Sequence, residues 1–235
     1  MDTALPKTVS IYKPEGVTPL ACVEKYRATH PELASVKLAY AGRLDPMAEG
    51  MLLILVGDEC KNRERYEQCT KVYEITILLG VATDTGDTLG LVTDYVKTPL
   101  EFASSTLLQA TKSCIGRRQQ FFPAFSSKVV SGHPLFWWAR EGRLAEITIP
   151  RHEIEIYRID VMSTSSWNAM SGIEDICHRI AAVDGSFRQK ESIKKWKKVA
   201  QDVSQVLPMH TLRVSCSSGT YMRELGVEIG QALGI

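Results

Sequence analysis

Apolar and polar residues alternate over 8–12, TVSIY, which predicts a strand. The next six residues, KPEGVT, break the pattern. Pro14 and Gly16 punctuate a turn, and Thr18 is placed to cap a helix over about 19–28. Residues 51–57, MLLILVG, form a continuous apolar run that ends at a glycine and suits a buried strand. Before it, AGRLDPMAEG reads as a polar turn. Gly42 and Gly50 admit unusual backbone angles there, and Pro46 fixes the residue after Asp45. Asp45 is thereby expected on a stiff loop leading into the core. Residues 58–70 read as a short helix or loop. In 71–80, KVYEITILLG, Val72, Glu74, Thr76 and Leu78 alternate with Tyr73, Ile75, Ile77 and Leu79, predicting a strand. VATDTGDTLG, 81–90, reads as a loop.

Further on, 100–115 has an apolar face at helical spacing and stops at Gly116. Two short strand-like runs are expected in 147–161, one ending at Pro150 and one over 153–159. Ile173, Ile176, Cys177, Ile180 and Ala181 fall at helical spacing, and Ile193, Trp196, Val199, Ala200 and Val203 do so again, so 163–207 is expected to be a helical hairpin. The last 25 residues read as a strand, a Ser-Ser-Gly-Thr turn and a helix from about Tyr221. Several strands interrupted by few helices predict an α+β fold, with a mixed, mainly antiparallel central sheet flanked by helices.

Composition narrows the functional classes. The 235 residues are 44% hydrophobic and 23% charged, which fits a globular protein with a substantial core in one large domain or two small ones. The formal net charge is only +1, so any nucleic-acid site has to come from local clustering of cations. Six cysteines lie scattered with no CxxC pair, which argues against a zinc or redox motif and fits reduced thiols in a cytosol. No targeting signal or apolar run of membrane length is expected. The acids and glycines of 81–90 invite a calcium-loop reading, but the twelfth-position Glu and the spacing are absent. Residues 117–142 interleave Arg and Lys with Phe and Trp. That pattern suits looped RNA, whose bases stack on rings and whose phosphates need cations, or else a hydrophobic loop over the sheet. Lys190, Lys194, Lys195, Lys197 and Lys198 read first as a solvated face, with an extra phosphate-contacting arm as the alternative.

Four strings then fall in one order. They are KPEGVT, GRLDPMAEG followed by an apolar strand, the span from Tyr73 to Gly90 with its TDTGDTLG loop, and CSSGTYMR near the end. Together with FPAFSSK through Gly132 and AREG at 139–142, they resemble the TruB family of tRNA pseudouridine synthases over roughly 8–162 and 210–235. The resemblance implies a single pseudouridine synthase domain over 1–235, with an RNA-binding insertion at 117–142 and an inserted helical segment at 163–207. No C-terminal RNA-binding domain is expected within it. It implies Asp45 as the catalytic aspartate, Arg223 as its partner and Tyr73 as the residue that stacks on the flipped uracil. Lys13, Tyr40, Asp87, Lys128, Arg140 and Tyr221 would then bind substrate, Lys128 and Arg140 through phosphates. Tyr40 stands where the family usually has a histidine, and a tyrosine can likewise stack on a base. Arg43 is also unusual for the family, and Arg-Leu-Asp resembles another synthase family of the same catalytic fold.

The implied reaction isomerises a T-loop uridine of tRNA and calls for no metal and no cofactor. A cytoplasmic monomer with no membrane contact is expected. Two other readings stay open at the level of sequence. One is a synthase acting on a different RNA; the other is a non-catalytic RNA-binding or folding factor. A carboxylate-pair hydrolase using Asp45 with Glu49, Asp84 or Asp87 lacks any pair that the sequence selects.

Overall fold

The computed structural model describes residues 5–101 and 103–235, which fall into two compact units. The first comprises, among the described residues, 5–69 with 179–189. It begins with strand β1 (Thr8–Lys13) and helix α1 (Pro19–Ala28), followed by β2 (Leu38–Ala41), β3 (Gly50–Val56) and α2 (Arg63–Glu67). The apolar run of 51–57 becomes the central strand of an antiparallel sheet in the order β1-β3-β2. Leu52, Ile54, Leu55 and Val56 are buried in it, each burial contributing roughly 1.5–3 kcal/mol. Thr18 caps α1 as expected, its hydroxyl accepting from the Ala21 N–H at 3.2 Å.

The second unit comprises, among the described residues, 70–101 and 103–178 with 190–235. Its elements are β4 (Lys71–Leu78), β5 (Val81–Thr83), β6 (Val92–Tyr95), α3 (Ser104–Ser113), β7 (Gly116–Phe121), β8 (Val129–Val130), β9 (His133–Pro134) and α4 (Leu135–Arg140). The long β10 (Arg151–Asn168), α5 (Ala169–Ala181), α6 (Gln189–Val199), β11 (Val206–Cys216) and α7 (Met222–Ala232) complete it, with the end of α5 and the start of α6 counted in the first unit. An antiparallel sheet in the order β4-β11-β10-β7 carries the core. Ile154, Ile156 and Ile159 of β10 and Leu212, Val214 and Cys216 of β11 pack there with Leu107 and Ala110 of α3 and Leu225 and Ile229 of α7. Ile156 and Ile159 stand an odd number apart, yet both are buried. A register shift between Ile156 and Arg158 re-phases the alternation and makes this possible. The α+β class holds, and each strand pairing found is antiparallel.

Several boundaries differ from expectation. One strand from Arg151 to Asn168 replaces the two short runs of 147–161, and the helices of the 163–207 stretch occupy only 169–199. Residues 163–168 are strand because they pair with Val206 to Thr211 through the backbone, a ladder that their side chains, polar and exposed except for Trp167, do not announce. The 81–90 loop opens with β5, paired to β6, and 117–142 contains β7 and α4 rather than only loop.

His210 gives this sheet a pH dependence. It is buried in β11, its Nδ1 lies 3.0 Å from the Thr164 hydroxyl, and burial pushes its pKa below the usual histidine value. The native state then holds fewer protons than the unfolded chain as pH falls through about 6.5, so stability present above that pH is lost below it. Glu224 and Glu228, pushed up by burial, act oppositely, their contribution being lost as pH rises, and they are common to the wild type and any His210 variant. Denaturation midpoints should therefore fall between pH 8 and 5.5 in the wild type. They should fall less in His210→Asn, whose amide can take over the hydrogen bond of Nδ1; parallel slopes would contradict this.

Candidate active site

Asp45 lies half-buried on the loop between β2 and β3. Its carbonyl accepts from the Ala48 N–H at 3.0 Å, closing a tight turn, and the Gly16 N–H donates to the Pro46 carbonyl at 2.8 Å. Lys13, at the end of β1, is fully buried beneath this loop. Its ammonium has three donors and finds three carbonyls, Pro14 at 3.0 Å, Pro46 at 3.4 Å and Ala48. A buried charge is tolerated only when satisfied in this way. Burial pushes the Lys13 pKa down, while the nearby Cys22, Asp45, Glu15 and Glu49 pull it back up. The KPEGVT turn is held in turn by the last turn of α5 and the residues after it. Arg179 forks onto the Glu15 carboxylate at 2.7 and 3.0 Å, and the Asp184 N–H donates to the Gly16 carbonyl at 2.7 Å. Tyr40, on β2, lies under the Arg63 guanidinium, 5.5 Å from the ring centroid.

In the second unit the TDTGDTLG loop is built around its acids. Asp87 accepts from the Thr85 hydroxyl at 2.7 Å and the Leu89 N–H at 3.0 Å, and Asp84 accepts from the Leu91 N–H at 2.8 Å. These fastenings explain the acidic spacing without a metal. Arg223, in the first turn of α7, donates to the Thr85 carbonyl at 2.8 Å and stands 3.9 Å from the Asp87 carboxylate. Gly86 has φ +74°, and a Cβ there would come to 3.1 Å from the Arg223 Cβ; one at Gly90 would collide with the Thr85 hydroxyl. So both glycines are needed for the loop to close on the arginine. Tyr73, on β4 opposite Val214, is half-buried and packs against the core cluster. The loop is also gripped from α6, where the Trp196 indole N–H donates to the Thr88 carbonyl at 2.9 Å and the Ser192 hydroxyl to the Leu89 carbonyl at 2.6 Å. Ser192 and Trp196 are buried.

The 117–142 stretch places cations on rings. Lys128 lies over Phe122 at 5.0 Å, Arg140 over Phe136 at 5.8 Å, and Arg143 over Trp137 and Trp138 at 5.5 and 5.2 Å. Trp138 is core, its indole N–H bonded to the Val130 carbonyl at 3.0 Å, whereas Phe121 and Phe136 stay exposed. Phe122 stacks on His152 at 4.2 Å, and both meet the Tyr221 ring edge-on at 5.9 Å. Buried Gln120 fixes Tyr221, donating to its carbonyl at 3.2 Å and accepting from its N–H at 2.8 Å.

Thus Lys13 is joined to the Asp45 loop, Asp87 to Arg223, and Lys128 to Tyr221 through Phe122, while Arg140 lies over Phe136. Sequence reasoning does not single out His152, Gln120, Ser192 or Trp196 for the site. Their hydrogen bonds span 67 to 108 residues and leave no local pattern; only the buried spacing of Trp196 on a lysine-rich helix is legible.

Comparison with known proteins extends this picture. The model of the TruB family pseudouridylate synthase N-terminal domain matches residues 30–177. The tRNA pseudouridine synthase B of Levilactobacillus brevis is 30% identical over 229 residues, covering 97% of this chain and 62% of that protein. That of Thermosipho melanesiensis is 30% identical over 226 residues, covering 96% and 59%. The chain therefore spans about three fifths of the length of the curated relatives it matches. Among solved structures, a chain of an H/ACA RNP bound to a substrate RNA containing 2'-deoxyuridine aligns with TM-score 0.53 at 16% identity, covering 97% of this chain and 43% of that one. A chain of a Cbf5-Nop10-Gar1 complex aligns with TM-score 0.53 at 15% identity, covering 97% and 44%. These two likenesses concern the fold.

Proposed function

Because the chain belongs to the TruB family of pseudouridylate synthases, we propose that it isomerises uridine to pseudouridine in the T-loop of tRNA. The observation that carries this reading is the build of the Asp45 loop, an aspartate on a tight turn pinned from below by the buried ammonium of Lys13. The reaction breaks the bond from C1′ to N1, rotates the uracil, forms the bond from C1′ to C5, releases the C5 proton and protonates N1. Atoms and oxidation state balance without a co-reactant. The target base has to leave its stack first. Asp45 supplies the carboxylate that acts at the sugar or the base, and Arg223 is the arginine that the family pattern assigns to the reaction. Tyr73 stacks on the flipped uracil and helps move the C5 proton. Asp87 acts by holding Arg223, and Lys13 by holding the loop, so both are positioning residues.

Lys128, Arg140, Tyr40 and Tyr221 form the RNA-binding set, the first two through phosphates. In this reading the chain forms a synthase domain with 117–142 as its RNA-binding insertion, acting as a cytoplasmic monomer. Among the described residues no helix is long and apolar enough to cross a membrane. Position-resolved mapping of pseudouridine in a tRNA transcript incubated with the protein tests the proposal. Conversion confined to the T-loop uridine is expected. Conversion elsewhere would redirect the substrate assignment, and none in any RNA tested would overturn the activity.

A further inference from the structure

Helix α6 carries a charge imbalance that its fold does not explain. Its eleven residues hold five lysines, Lys190, Lys194, Lys195, Lys197 and Lys198, against the one acid Glu191, a formal +4 in a chain whose total is +1. All five lysines are exposed, while Ser192, Trp196 and Val199 form the buried face. Several surface cations elsewhere have acidic partners, such as Lys61 with Asp58, Arg63 with Glu67, Arg117 with Glu155 and Arg213 with Glu74. Among the described residues no ion pair engages any of the five α6 lysines.

Helix physics works against the arrangement. Lys190, Lys194 and Lys198 are like charges four residues apart, and Lys190 sits in the first turn, where the macrodipole disfavours a cation. A face selected only for solubility would alternate signs. Lys190, Lys194, Lys197 and Lys198 instead fall on one side of the helix, over about 12 Å at 1.5 Å per residue, long enough to meet more than one phosphate. The helix is also held in place. Trp196 and Ser192 bolt it to the Thr88 and Leu89 carbonyls, next to the Asp87 that supports Arg223. A fixed, unneutralised row of lysines on the loop assigned to the site fits a polyanion that enters with the substrate.

We propose that α6 is a second RNA-binding arm that holds the phosphate backbone of the substrate through Lys190, Lys194, Lys197 and Lys198. The proposal rests on the synthase reading. It assigns a phosphate-binding role to a part of the chain outside the 117–142 segment and outside the matching motifs.

The test replaces these four lysines together by glutamine in the full chain and measures binding of a tRNA transcript from 50 to 200 mM salt. All four are exposed, so folding should be unaffected. A control replaces Lys25, Lys61, Lys97 and Lys112, also exposed, in the same way. The α6 variant should bind about tenfold more weakly at low salt. Its slope of log K against log salt should be shallower by about 0.7–0.9 for each phosphate that the missing ammonium groups neutralise in the wild type, and its single-turnover rate at saturating RNA should equal that of the wild type. The control should bind nearly as tightly as the wild type. Equal weakening in both variants would show a general charge effect and overturn the arm. Unchanged affinity and slope, with wild-type protein that binds and isomerises, would overturn the arm alone. A wild-type protein that binds no tRNA would remove the synthase reading and the arm together.

Discussion

Asp45→Asn should bind tRNA as the wild type does and isomerise it more slowly by on the order of 10^4-fold or more. Asparagine has nearly the same volume and sits on the same loop. Several hydrogen bonds that shape that loop end on its backbone: Ala48 N–H to the Asp45 carbonyl, Gly16 N–H to Pro46, and the Lys13 ammonium on Pro46 and Ala48. None of these depends on the Asp45 carboxylate, so turn geometry should survive the change. What disappears is the negative charge and the nucleophilic or basic oxygen, which an amide supplies in neither role. A thermal midpoint within a few degrees of the wild type, together with unchanged tRNA affinity, would separate this loss from unfolding. A midpoint that drops sharply would instead assign Asp45 a structural role.

Arg223→Ala should cost activity by a different route. Its guanidinium is mostly buried, donates to the Thr85 carbonyl and faces Asp87 across the TDTGDTLG loop. Truncation leaves a carbonyl and a carboxylate without that cation in a loop where Gly86 and Gly90 already allow no spare volume. Removing a charge-assisted hydrogen bond in such a setting costs about 3 kcal/mol, which corresponds to roughly a hundredfold in rate if it is expressed at the transition state. Arg223→Lys keeps the charge but not the fork, so it should recover only part of the loss. Single-turnover rates for the two variants, read beside their proteolytic protection at 84–90, check this. Equal rates for Ala and Lys would mean that the charge is irrelevant, and wild-type rates for both would remove Arg223 from the site.

Local chemistry makes much of the fold legible. Thr18 before Pro19 announces the start of α1, the run MLLILVG announces β3, and the alternation around Tyr73 and Ile75 announces β4. Sequence fails where pairing rather than side-chain pattern decides. Residues 163–166 and 168 of β10 are polar and exposed, so period-two hydrophobicity is absent although the ladder to β11 is intact. The candidate site divides the same way. Asp45 stands out because its own neighbours, glycine and proline, shape its loop. The hydrogen-bond partner of Arg223 lies 138 residues away, and that of Trp196 108, so only an ordered set of motifs suggests the first and nothing suggests the second. Lys13 reads as part of a turn; its burial beneath the Asp45 loop emerges only once β1 pairs with β3, bringing Lys13 opposite Gly50.

The central claim is that this chain converts uridine to pseudouridine through Asp45. Tritium release from a T-arm RNA labelled at uridine C5, under single-turnover conditions and with wild type and Asp45→Asn side by side, tests it most directly. The account predicts complete release by the wild type and none above background by the variant at equal RNA occupancy. Appreciable release by Asp45→Asn, or none by a wild-type protein that binds the RNA, would contradict it.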